Sequence, residues 1–222
     1  MTVMAKARAW LLDYLYAAFW QVHAVLRPGT PDRYRDGTRP PVLLLPGIYE
    51  TWQFMRPLAE ELHSLGHPVH VVTDLGRNRG TIADAGRIVT RLLDARDLHD
   101  VIIVAHSKGG LIGKYLMMQT DAASRIDRMV AIASPFSGSS LARYTLLPSL
   151  RAFAPTDAMI RLLGAERAVN ARITSIYGVF DPHIPGGSVL PGATNIQLQT
   201  SGHFRILGDA ALHDAVQRAC GD

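Results

Sequence analysis

Ser107 lies in the stretch VIIVAHSKGGLIGKY, residues 101–115, where an apolar run meets a polar knot and a helix-like pattern begins. A serine hydroxyl is a poor nucleophile until a base takes its proton and donors hold the oxyanion that its attack creates. The knot A-H-S-K-G differs by one residue from G-x-S-x-G, in which a serine occupies a sharp, strained turn between a buried strand and a helix. Such a turn lifts the side chain above the sheet edge and aims the helix N-terminus at the developing negative charge. Strand and helix then pass so closely that the residues two before and two after the serine must be small. Here these are Ala105 and Gly109. A methyl group is the smallest departure from glycine, so Ala105 weakens the pattern only slightly. The chemistry this stretch could support is attack of Ser107 on a carbonyl carbon.

Two phosphate-binding patterns fail on the same residues. A P-loop needs a glycine where Lys108 stands and a Ser or Thr where Tyr115 stands, and a dinucleotide fingerprint ending at Gly113 also needs glycine at 108. Gly110 and Gly113 are better read as places where the helix packs closely on the sheet.

The elements that must position Ser107 follow from periodicity. Apolar runs at 42–46, 68–73, 101–105, 128–134, 173–179 and 195–199 read as strands, the first as a strand covered on both faces. Helical patterns occupy 51–66, with Thr51 as cap, and then 81–97, 108–120 and 209–220. Strands alternating with long helices imply crossovers and a mainly parallel α/β sheet of about six strands, with helices on both faces. Residues 136–170 are longer than one crossover needs, and read either as two short helices over a pocket, a small lid, or as one helix with a loop. Residues 27–41 carry four prolines and two glycines and form a linker before the main domain at 42–222.

Composition excludes several classes. The chain has 222 residues, 48% hydrophobic and 19% charged, which suits one well-buried α/β domain. Its 23 basic and 19 acidic residues are scattered without a dense basic run, so no nucleic-acid partner is expected. The one cysteine, Cys220, allows neither an internal disulfide nor a zinc site. A cytoplasmic or membrane-associated location is expected, with export left open. Residues 1–26 form an extra N-terminal amphipathic helix rich in aromatics. It reads as a helix packed on the domain, as an interfacial anchor giving peripheral membrane contact, or as a leader whose apolar run Asp13 interrupts.

From residue 42 to about 220 the chain resembles the α/β-hydrolase superfamily, and within it the small bacterial lipases and esterases that carry A-H-S-x-G. The resemblance implies an α/β-hydrolase fold and the chain order serine, acid, histidine. Asp181, in FDPHIPGG just past the strand at 173–179, then takes the acid's place, and His203, on a Ser-Gly loop past the last strand, takes the base's. Of the nine histidines, those before residue 107 violate that order. His183 precedes the last strand, and His213 falls in the closing helix as a surface residue. The oxyanion donors become the backbone amides of Lys108 and, by resemblance, of Ile48 in LPGIYE, where Gly47 supplies backbone freedom. The Lys108 side chain is left with two roles, attraction of an anionic substrate group or pairing with an acid such as Glu50. The implied activity is hydrolysis of a small-molecule ester or lipid with neither metal nor cofactor. An amide, thioester or glycolipid deacylase using the same triad, or a non-catalytic binding protein on the same fold, stand as alternatives. If residues 1–26 are only an anchor, removing them should leave hydrolysis of soluble esters intact.

Overall fold

The computed structural model describes residues 1–221. Six strands, β1 (Val42–Leu45), β2 (Val69–Val71), β3 (Val101–His106), β4 (Ile126–Ile132), β5 (Ile173–Phe180) and β6 (Thr194–Ser201), form one sheet in the order β2-β1-β3-β4-β5-β6. Every pairing is parallel. Side chains alternate across each strand, so β1 and β3 feed two cores. Leu43, Leu45, Ile103 and Ala105 join one core with α3 (Ile82–Ala95) and α4 (Lys108–Met118). Val42, Leu44, Ile102 and Val104 join the other, with α2 (Arg56–Ser64) and the closing helix Ala210–Gly221.

The predicted boundaries fall close to the observed ones, with local exceptions. The helix expected from Thr51 starts as a 3-10 turn, Trp52–Met55, and the Thr51 side chain makes no capping bond. Pro57 in the first turn of α2 presets the backbone dihedral a helix start needs, which makes a side-chain cap dispensable. Residues 136–170 hold a 3-10 turn at Ser140–Tyr144, two short helices at Pro148–Arg151 and Ala158–Ala165, and a further 3-10 turn at Ala168–Arg172.

The N-terminal helix α1, Val3–Leu26, is capped by Thr2, whose hydroxyl accepts from the Ala5 amide. It packs on the second core through Trp20 and buries Ala9 and Asp13. No helix among the described residues is long and apolar enough to cross a membrane. His213 is half-buried rather than a surface residue: its Nδ1 bonds to Glu61 and its Nε2 lies 3.0 Å from the Leu207 carbonyl, because the closing helix packs beside α2.

Candidate active site

The candidate site lies where the parallel strands end, because loops leaving one end of the sheet converge there. Ser107 follows β3, with φ 50° and ψ −118°, a conformation sparsely populated by residues with a Cβ. The surroundings hold it: its amide donates to the Ile132 carbonyl at 2.8 Å, and its carbonyl accepts from the Gly110 amide at 3.1 Å. Close packing under the turn decides the neighbouring residues. A Cβ on Gly109 would stand 2.0 Å from the Leu45 carbonyl oxygen, one on Gly110 2.1 Å from Ser134 Oγ, and one on Gly113 2.4 Å from Met129 Sδ. Gly109→Ala therefore cannot fit without moving β1 or α4. It is expected to lower the unfolding free energy by about 3 kcal/mol, read from the midpoint of chemical denaturation.

The structure brings Ser107, His203 and Asp181 together. Ser107 Oγ donates to His203 Nε2 at 2.9 Å, and His203 Nδ1 donates to Asp181 Oδ2 at 2.7 Å. The carboxylate fixes the tautomer, since Nδ1 must carry the proton and leaves Nε2 free to accept. Asp181 Oδ1 accepts from the amides of His183 at 2.7 Å and Ile184 at 3.0 Å, which locks the carboxylate in place. Burial opposes ionisation of Asp181, but the charge and hydrogen bond of His203 and the His183 amide outweigh it and hold the carboxyl below its ordinary range. Burial likewise opposes the charged form of His203. The charge and hydrogen bond of Asp181 prevail and push the imidazole above 6.5.

The expected oxyanion donors sit on either side of the serine. Lys108 opens α4, so its amide has no acceptor within its own helix. Ile48 and Ser107 line the same cavity. The loop carrying Ile48 departs from the sequence expectation in its details. Positive φ falls on Tyr49, at 62°, and not on Gly47. Gly47 leaves space for the Glu50 carboxylate, because a Cβ there would stand 2.7 Å from Glu50 Oε1 and force it to shift. The Glu50 carboxylate accepts from the Gly47 amide at 2.7 Å and lies 2.8 Å from His106 Nδ1. His106 Nε2 lies 2.9 Å from the His203 carbonyl, which can only accept, so this nitrogen carries a proton. A buried line thus runs from Gly47 through Glu50 and His106 to the backbone of His203, joining the loop of Ile48 to that of His203.

The Lys108 side chain does not pair with Glu50. Its Nζ donates to the carbonyls of Asn78, at 2.7 Å, and Gly80, at 2.5 Å, while Glu50 is engaged elsewhere. Burial lowers its pKa to about 8, partly countered by the charge of Asp84. Asn78 in turn donates to the Pro46 carbonyl at 2.7 Å, and the Arg77 carbonyl accepts from the Tyr49 amide at 2.8 Å. Lys108 and Asn78 therefore clamp the loops at 46–50 and 76–80 together.

Two further residues lie at the site. The ring of His183 is 4.9 Å from that of His203, and burial, reinforced by the like charge of His203, lowers its pKa to about 4, so it is neutral at physiological pH. Asp13, in the middle of α1, is wholly buried, and its Oδ1 accepts from the amides of Phe204 at 2.7 Å and Arg205 at 2.8 Å. Its Oδ2 is 4.0 Å from His183 Nε2. Gly202, with φ 118°, leaves room for this carboxylate: a Cβ would stand 2.6 Å from Asp13 Oδ1. The helix at 1–26 is thus built into the histidine loop, so its removal is expected to impair hydrolysis as well as any surface binding. The signal in the sequence was a lone acid within an apolar helix, which marks a buried partner elsewhere in the chain.

A cavity of about 340 Å³ opens on Ser107 and His203 and is mainly apolar, with Ile48, Phe54, Leu141, Leu150, Phe153 and Ile184 in its wall. Residues 140–153 cover it, and Tyr49 braces them through a 2.7 Å bond between its hydroxyl and that of Ser149.

A family model described as the alpha/beta hydrolase fold matches residues 40–158. The chain belongs to this family. None of the curated protein sequences compared matches it. Among solved structures, it is similar to a bromoperoxidase from Bacillus anthracis, at 14% identity and TM-score 0.64 over 84% of this chain and 94% of the other. It is similar to an enol-lactonase from Burkholderia xenovorans, at 18% identity and TM-score 0.58 over 84% and 93%. It is also similar to an N-formylmaleamic acid deformylase from Pseudomonas putida, at 18% identity and TM-score 0.60 over 82% and 92%. At these identities the likeness is one of fold.

Proposed function

We propose that the protein is a serine hydrolase that cleaves carboxylic esters of apolar acyl groups. The observation that carries this reading is the hydrogen-bonded line from Ser107 through His203 to Asp181, with Ser107 on a strained turn in the wall of an apolar cavity. In this reading His203 Nε2 takes the proton of Ser107 as Oγ attacks the ester carbonyl. The amides of Ile48 and Lys108 hold the resulting oxyanion. Asp181 stabilises the imidazolium, which returns its proton to the leaving alcohol as the acyl–oxygen bond breaks. Water, deprotonated by the same imidazole, then releases the carboxylic acid and restores the serine. Lining by Ile48, Phe54, Leu150 and Phe153 favours an aliphatic or lipid-like chain.

Turnover of p-nitrophenyl esters of increasing acyl length, with matched amides and thioesters, tests the substrate class. Medium-chain esters are expected to give the highest kcat/KM, and turnover of acetate or polar esters alone contradicts it. Because His203 acts in its neutral form and is shifted upward, kcat/KM is expected to rise with pH through an inflection above 6.5.

A further inference from the structure

One face of α1 is covered and the other is not. Ala9, Asp13 and Trp20 are buried, whereas Leu11, Leu15, Phe19, Val22 and Leu26 are 61%, 57%, 58%, 57% and 74% exposed. These five follow one another at steps of three and four residues and so form one stripe along the helix. A second apolar exposure lies at the 3-10 turn and the residues after it, where Tyr144 and Leu146 are 70% and 95% exposed. The two segments meet at the site, since Ala17 and Gln21 of α1 and Leu141, Ala142 and Thr145 line the same cavity as Ser107. An apolar surface of this extent around a pocket mouth marks a binding face.

Its charge indicates what covers it. Residues 1–31 contain Lys6, Arg8 and Arg27, and residues 139–156 contain Arg143 and Arg151. The only acid in either segment is Asp13, which is wholly buried. No exposed carboxylate therefore lies within either segment. Two copies of such a face would bring like charges together, which disfavours self-association. Apolar side chains flanked by cations match the boundary of a bilayer that carries anionic headgroups. The exposed rings of Trp10 and Tyr14 suit the headgroup level of such a boundary.

We propose that the outer stripe of α1 and the loop at 141–147 form one docking surface for an anionic lipid bilayer, with the cavity mouth between them facing the membrane. The ester hydrolysed would then be a lipid that enters from the bilayer. That last step rests on the hydrolase reading, but the docking does not.

Cosedimentation with vesicles separates the two. The protein, with Ser107→Ala in parallel, is expected to bind vesicles of equal parts phosphatidylcholine and phosphatidylglycerol at least about tenfold more tightly than phosphatidylcholine alone. The double variant Leu15→Glu, Leu146→Glu is expected to lose about tenfold or more of that binding and to keep its hydrolysis of a soluble short-chain ester. Absence of vesicle binding, or equal binding by the double variant, overturns the proposal. So does a dimer in sedimentation velocity that the double variant dissolves, because a second copy would then cover the face. Vesicle binding without any hydrolysis by the unmodified protein leaves the docking standing and removes the hydrolase reading.

Discussion

Ser107→Ala is expected to lower kcat for a medium-chain ester by about 10⁴- to 10⁶-fold while the protein remains folded. The side chain removed is small, and its hydroxyl bonds only to His203 Nε2. Unfolding midpoints should therefore stay close to those of the parent, because alanine keeps the backbone conformation with φ 50° and loses only this one bond. Asp181→Asn tests the same line from its other end. It removes the charge that holds His203 upward and lets the imidazole adopt the wrong tautomer, so kcat should fall by about 10³- to 10⁴-fold. The inflection of the residual activity should also move to lower pH. These two effects belong to one unit, so the double variant should be scarcely worse than Ser107→Ala alone.

Asp13→Ala is the second large effect expected, and it lies outside the segment that matches the family. The substitution leaves the Phe204 and Arg205 amides without their acceptor beside His203. Each lost bond to a charged group corresponds to about 1.5–3 kcal/mol, and two are lost, so stability should fall by about 3–6 kcal/mol. The loop also holds His203, and kcat, measured on folded protein, should fall by about 10- to 100-fold with little change in KM. Asp13→Asn keeps an oxygen for both amides and should recover most of the stability. It removes a negative charge that helps to raise the His203 pKa, so its pH profile should shift downward. A purely structural Asp13 would change stability without moving that profile.

Much of this arrangement was legible in the sequence because it depends on local rules. Continuous apolar runs marked the strands, and small residues around Ser107 marked the crossing that the 2.0 Å approach of a Gly109 Cβ to Leu45 makes concrete. Asp181 and His203 follow from the chain order that the family resemblance implies, which the parallel topology turns into proximity. What escaped depends on contacts far apart in sequence. The bond from Asp13 to Phe204 spans 191 positions, and that from Glu50 to His106 spans 56. No periodicity reports such a pairing. The contacts of the Lys108 side chain escape for a related reason: its acceptors are backbone carbonyls at Asn78 and Gly80, and a sequence shows nothing of where a carbonyl points. Gly47 matters through space and not torsion, since its φ is not positive and a Cβ there would stand 2.7 Å from Glu50 Oε1.

The central claim is that Ser107 is the nucleophile activated by His203. Its most direct test is peptide mapping by mass spectrometry after treatment with a fluorophosphonate, which reacts with activated serines. A single adduct on Ser107, lost in His203→Ala although the serine remains, is the result expected. Labelling of another residue, or no labelling of the folded protein, would contradict it.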